Sequence, residues 1–539
     1  MSRLFYNLFV ISVFFSCSPE RDLEEHQVDV IPPKLSLTDT LQIIEIETTI
    51  QLKVSDESTT VKTTVWFDGI IILQSSNKTV DIVIDPFNYD LGEHKLLIKS
   101  IDSSDNEVQI EKTISIKHLL LKVPISNLKY FGYSDNYIVL NDSHGSLIDY
   151  QKAEEDTDIV IYGDGSIVDN FTASLFVNPK DVSPDRLQRM YSFGGIEPGT
   201  ILQTFQEHLT DGNSPIIYDS NKQLDLVIDY PNPYGINGTG YSLKRETDTQ
   251  VQLQYSDYID DNFFLLSSLP FDPVVKEDYR YTIITDLEKK NYNQEDFLKP
   301  NRYYTVDIPE SVYSSSYSGF YNYHLNGYRS ESDLEDGILH NIIGYGSSVN
   351  IFGNSLDLPM IEEFKFYELY FMASDRENYE MSRKQRGMEL KEFPDIDLFF
   401  NSNTVNTFGT YDYTLFDYGY YDVENKVFIG MQWFFYKEPS QTINIPYYNF
   451  EMPDAIRIIL EDANVDQILD ENRIQNGLSA ILVKKEQYKD YRELMFQYAN
   501  RYDSRGEWYA LRLNSNSGSA KHSKKAAEYS TGKQSVFGL

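Results

Sequence analysis

Cys17 is the only cysteine of the 539-residue chain. A lone cysteine has no partner for an internal disulfide, which leaves its thiol for other chemistry. Asp102, Asp105 and Asn106 crowd oxygen atoms into one short stretch. Calcium is the metal such hard ligands take, although turn-forming Asp and Asn explain the same cluster. Trp433, with Tyr317, Tyr321 and Tyr323, offers aromatic faces on which a sugar ring could stack. The eight histidines include no His-x-His and no His-Glu-x-x-His, which argues against a zinc hydrolase of the usual kind. No Gly-x-Ser-x-Gly elbow occurs. Asp462-Ala463-Asn464-Val465-Asp466 opens like a calcium loop, but Gln467 stands where glycine is needed and Arg473 where the bidentate Glu should fall. A glycosidase needs two carboxylates about 5–9.5 Å apart, and 83 acids single out no such pair. No catalytic residue is assigned.

Cys17 is positioned by what precedes it. Arg3 supplies a positive charge, and Leu4 to Phe15 is apolar except for Asn7 and Ser12. This is an h-region of secretory length. It is too short for a bilayer core of roughly 30 Å, which needs about 20 apolar residues. Ser16 is the small residue expected directly before a modified cysteine, while Phe14 stands where Leu is usual. Ser18 to Glu25 is acidic. The block resembles a bacterial lipoprotein signal, and the acidic stretch resembles the export segment of Bacteroidota surface lipoproteins. That resemblance implies cleavage before Cys17, acylation of its thiol and a place on the outer membrane facing outward. Several acyl chains anchor a protein firmly, whereas one binds only marginally.

Lys plus Arg number 47 and Asp plus Glu 83, a net charge of −36. Nucleic acid and anionic membrane surfaces would repel such a chain, so neither is an expected partner. Tyr (42) and Phe (31) are abundant and suit half-buried β surfaces. Their use in the core is expected before their use in binding.

The strand signals recur at short spacing, so the fold class expected is mainly β: tandem β-sandwich domains with a few short helices. After the leader (1–17) and an acidic linker (18–31), a first sandwich is expected over 32–117. Val65-Trp66-Phe67-Asp68-Gly69, Leu91-Gly92-Glu93-His94-Lys95-Leu96 and Asp102 to Asn106 resemble bacterial immunoglobulin-like domains. That resemblance implies a spacer fold, with Asp105-Asn106 where Gly-Asn is common. His94 is expected to pack or hydrogen-bond at the sandwich edge. A second sandwich is expected over 118–215, a β-rich domain over 216–390 and a last β-rich domain with a short helix over 391–513. The helix is placed in Lys485 to Asn500, where tyrosines, Leu494 and Met495 share a face. The tail, 514–539, has too little apolar content to fold alone.

These features describe a surface lipoprotein that presents β modules to a glycan or a protein ligand without catalysis. The competing expectation is a carbohydrate-active or peptidoglycan hydrolase in the C-terminal half.

Overall fold

The computed structural model describes residues 29–38, 42–57, 61–124, 134–154, 157–166, 169–179, 186–202, 222–229, 233–234, 238–247, 249–255, 262–268, 279–308, 320–343, 348–350, 355–374, 379–424, 427–463, 478–485, 491 and 507–514. The fold is mainly β, with sandwich packing in tandem units and two short α-helices, Glu331–Asp336 and Asp454–Asp462, among the described residues. The chain divides into two compact units, Met1–His118 and Leu119–Leu539. Among the described residues no helix is long and apolar enough to cross a membrane.

Strict alternation builds the first unit. Thr79–Ile84 reads exposed, buried, exposed, buried to its end, with Val80, Ile82 and Ile84 facing inward. It pairs with Thr48–Ser55, which pairs in turn with Lys34–Leu37, to make a three-stranded sheet. The facing sheet has five strands, in the order Ile43–Ile44, Glu107–Ile116, Gly92–Asp102, Val61–Phe67, Ile70–Ser75. The inner residues of both sheets form one core that includes Leu52, Ile82, Val65, Phe67, Leu96 and Ile114. Asp68 (φ 50) and Gly69 (φ 80) make the tight hairpin between the last two strands. Positive φ at both central residues is what a type I′ turn demands, and Asp-Gly meets it at little cost.

The second unit departs from the expected division at 215/216 and 390/391. One 13-stranded sheet draws strands from all three of those stretches. It runs from Leu147–Lys152 through Ser134–Asn141, Phe171–Pro179 and Arg186–Ile196 to Val427–Lys437, then Tyr413–Glu424, Leu478–Lys485 and Trp508–Asn514. It continues through Tyr379–Arg386, Phe366–Ser374 and Phe320–Tyr328 to His340–Ile343, and the thirteenth strand, Ser348–Asn350, also pairs with Phe320–Tyr328. The join between early and late chain is the parallel pairing of Arg186–Ile196 with Val427–Lys437. Local alternation cannot announce such a partnership, because each strand alternates in the same way whatever lies beside it. The helix expected in Lys485 to Asn500 lies outside the described residues except for Tyr491.

Cores cover both faces of this sheet. Met190, Trp433, Phe416, Leu482 and Leu511 belong to one, and Tyr191, Tyr413, Leu415, Ile481 and Ala510 to the other. Trp433 sits at the centre of the first, in edge-on contact with Tyr447 and Phe450. Its indole N–H donates to Ser192 Oγ at 2.8 Å. The Tyr447 hydroxyl donates to the carbonyls of Phe416 (3.1 Å) and Trp433 (3.0 Å). Truncating a buried indole to alanine loses the transfer energy and opens a cavity. Trp433→Ala is therefore expected to destabilise the second unit by about 3–5 kcal/mol, read as a lower urea midpoint for its unfolding transition.

Candidate functional site

The structure redistributes the residues on which binding chemistry was expected. Cys17 and Tyr317 lie outside the described residues, and Tyr321 is described only as backbone within Phe320–Tyr328. Trp433 is 0% exposed and Tyr323 is 8% exposed. Both belong to the core described above, so neither offers a face to a sugar, and the expected stacking platform is corrected at these two positions. Burial also pushes the Tyr323 hydroxyl up to about 12, with the Asp357 carboxylate adding to it.

The oxygen cluster is regrouped. Asp102 Oδ1 accepts the backbone N–H groups of Ser104 (2.7 Å) and Asn106 (2.9 Å), and Oδ2 accepts from Asn106 Nδ2 (2.8 Å). Asn106 Nδ2 also donates to the carbonyl of Asp29 (2.8 Å). Burial raises the Asp102 carboxyl, but these bonds outweigh it and hold it below its ordinary value. Asp105 is the left-handed residue of the turn (φ 62). The carboxylates that converge are Asp29, Asp56 and Asp102, each offering an oxygen within 4.8 Å of the others. Asp102 alone is common to this group and to the expected set of Asp102, Asp105 and Asn106. Three acids supply part of the six to eight or so oxygens that Ca²⁺ takes. The oxygens of Asp102 are already committed to the turn, which weakens its share.

Sequence reasoning passed over Asp29 and Asp56. One ends the acidic linker and the other follows the strand Thr48–Ser55. Asp56 directly follows a strand end, but nothing in the spacing ties it to Asp29 or Asp102. Asp29→Asn keeps an oxygen for the Ile31 N–H that Asp29 Oδ1 accepts at 3.0 Å and removes one of three like charges. A higher melting midpoint is expected in EDTA at low salt, with the gain shrinking as salt or calcium is added. An unchanged midpoint in EDTA would mean that the three carboxylates share no repulsion.

His94 is held at both ring nitrogens. Its Nδ1 lies 2.5 Å from Asp68 Oδ2 and its Nε2 lies 2.7 Å from the carbonyl of Asp90. Asp68 Oδ1 accepts the Lys95 N–H at 2.8 Å, and Phe67 stacks on the imidazole at 5.3 Å. Both ring nitrogens face acceptors, so only the doubly protonated ring satisfies both. Burial pulls the imidazole down, but Asp68 and the Asp90 carbonyl outweigh it and raise it above the ordinary 6.5. The Lys95 N–H, then His94, lower Asp68 below its ordinary 3.8. A raised histidine contributes stability below its unfolded value and loses it as pH rises through the folded value. The lowered aspartate contributes above its unfolded value and loses it as pH falls. The first unit is thus expected to melt highest in mildly acid solution and to weaken as pH rises from about 6.5. His94→Gln should flatten that alkaline slope in thermal melts run across pH.

In the second unit the partly buried ionic groups bridge strands. Asp417 Oδ2 accepts from Arg512 (3.2 Å), which also donates to Ser479 Oγ (3.0 Å). Lys384 Nζ lies 3.3 Å from Glu368, whose other oxygen accepts from Asn326 Nδ2 (3.1 Å). These pairs tie neighbouring strands of the long sheet at their polar rows.

One surface stands out by exposure. On the outer face of the five-stranded sheet, Ile71 pairs with Trp66 and Trp66 with Leu97. Ile70 is 69% and Ile71 51% exposed.

Such a chain is a mainly β protein of tandem sandwich units. No protein-family model and no curated protein sequence matches it. Among solved structures it is similar to the mixed-linkage glucan utilization locus protein SGBP-B of Bacteroides ovatus in complex with a mixed-linkage heptasaccharide. The identity there is 11%, over 55% of this chain and 83% of that one, with a TM-score of 0.13. It is also similar to the fibronectin(III)-like modules of CbhA from Clostridium thermocellum, at 11% identity over 31% of this chain and 92% of that one, with a TM-score of 0.13. The TIE protein of Bacillus anthracis aligns at 10% identity over 64% and 69% of the respective chains, with a TM-score of 0.15. At these scores the alignments carry no argument about ligand or activity.

Proposed function

We propose that this is a cell-surface lipoprotein of the outer membrane, which presents β-sandwich units for binding and performs no catalysis. The observation that carries the reading is the order of features at the N-terminal end. A lone cysteine closes an apolar leader, an acidic stretch follows, and a sandwich with its own core comes next. A thiol at that place serves attachment. The acidic stretch keeps the chain solvated as it leaves the membrane, and the sandwich is a rigid spacer.

The ligand side of the reading shifts from glycan toward protein. Trp433 and Tyr323 are committed to packing. Exposed Ile71 lies on a sheet face instead, beside half-buried Trp66 and Leu97. An aromatic flanked by aliphatic residues on a flat β surface suits contact with another protein.

Cys17→Ala removes the acceptor thiol. Cell fractionation is expected to move the variant from the membrane pellet to the soluble fraction while the unsubstituted chain stays in the pellet. A variant that remains in the membrane fraction would overturn the anchor.

A further inference from the structure

Residues 85–91 carry the chain across the first unit, from Thr79–Ile84 of the three-stranded sheet to Gly92–Asp102 of the five-stranded one. Two imidazoles hold this crossover. His118 Nε2 lies 3.0 Å from the carbonyl of Pro86 and 3.0 Å from that of Tyr89. His94 Nε2 lies 2.7 Å from the next carbonyl, that of Asp90. Asp85 fixes the start of the crossover. Its Oδ1 accepts the Phe87 N–H (3.1 Å) and its Oδ2 accepts from Asn88 Nδ2 (2.9 Å). At the far end Leu91 is exposed and Gly92 has φ 123, a backbone conformation open to glycine.

The two holds respond differently to a proton. A carbonyl only accepts, so each imidazole must present an N–H at Nε2. His118 can do so both charged and as a neutral tautomer. His94 has a second acceptor, the Asp68 carboxylate, 2.5 Å from Nδ1. A neutral ring has one N–H for the two. The bond to a carboxylate is charge-assisted and takes it. Nε2 then turns a lone pair on the Asp90 carbonyl, and two acceptors at 2.7 Å repel.

We infer that His94 is a proton-operated latch on this crossover: the charged ring holds the Asp90 carbonyl, the neutral ring releases it, and His118 keeps the other end seated in both states. The surroundings of the ring decide when the latch opens. Asp68 faces it from the hairpin turn and Asp90 from the crossover. Tyr89 lies edge-on to it at 6.2 Å, its hydroxyl kept neutral by burial and by Asp85 and Asp68. Phe67 stacks on the ring, and its register partner on Glu107–Ile116 is Ile114, so neither strand beside it brings a charge there. Burial opposes the charged ring, but Asp68 and Asp90 outweigh it, and release comes as pH rises above the ordinary 6.5. The inference concerns the first unit alone and does not rest on the lipid anchor.

The test is hydrogen exchange of the full chain, read for residues 85–92 and corrected for the intrinsic rate, beside nitrogen-15 spectra of histidine-labelled chain, from about pH 5 to 9. Exchange of residues 90–92 is expected to rise roughly tenfold, as for loss of one hydrogen bond to a charged group, while one ring titrates above 6.5. That neutral ring is expected to keep its proton on Nδ1. His94→Gln is expected to exchange fast there at every pH. Asp68→Asn acts in the opposite direction. Its amide N–H can donate to Nδ1 while its oxygen keeps the Lys95 N–H, so the neutral ring carries its proton on Nε2 and holds Asp90 through alkaline pH. A ring that served packing alone would show loosening in both variants and no step in either. Exchange that does not rise with pH in the unsubstituted chain would overturn the inference. So would a neutral His94 with its proton on Nε2, or a rise that survives Asp68→Asn.

Discussion

The second unit depends on one backbone ladder, the parallel pairing of Arg186–Ile196 with Val427–Lys437. Buried N–H and C=O groups must find partners, and here they find them between segments far apart in sequence. That ladder makes the early and late parts of the unit a single sheet. It also puts Met190 beside Trp433 and Ser192 beside Phe435, which lets the indole N–H reach the serine hydroxyl. Once the ladder is in place, both faces of the sheet are committed to cores, and the tyrosines have their task. Tyr447, Tyr418 and Tyr413 are buried completely. The hydroxyls of Tyr447 and Tyr491 close on backbone carbonyls.

This constraint bears on function. An aromatic-rich chain invites a reading in terms of sugar stacking, but aromatic side chains on a sheet covered on both faces serve packing. In the first unit, Ile70 and Ile71 remain exposed on the five-stranded sheet. There the five-stranded sheet turns Trp66 and Leu97 outward and ends in an uncharged edge. The first unit also holds a coupled titrating pair, His94 with Asp68, at the turn that launches that edge strand.

The first unit was largely legible in the sequence, because its strands alternate strictly and the turn at Asp68-Gly69 has the chemistry its φ values require. His94 was expected to pack or hydrogen-bond at a sandwich edge; it does both, but on the middle strand of the five-stranded sheet. The second unit was legible only as strands. Val427–Lys437 reads as a nearly unbroken apolar run, the pattern of a strand buried on both faces. That was the available sign that Trp433 is core, and its position between Gln432 and Phe434 obscured it. The acidic group escaped for another reason. Asp29, Asp56 and Asp102 come from three separate segments, so no spacing rule connects them.

Under the proposed attachment through Cys17, the first unit would serve as a spacer and the exposed β surfaces as the working parts. The most direct measurement is intact-mass spectrometry of the chain extracted from membranes, with fragmentation of its N-terminus. The expected result is a mature chain that begins at Cys17 and carries the added mass of several acyl groups on that residue. A chain that retains residues before Cys17, or begins after it, or carries an unmodified thiol there, would contradict the central claim.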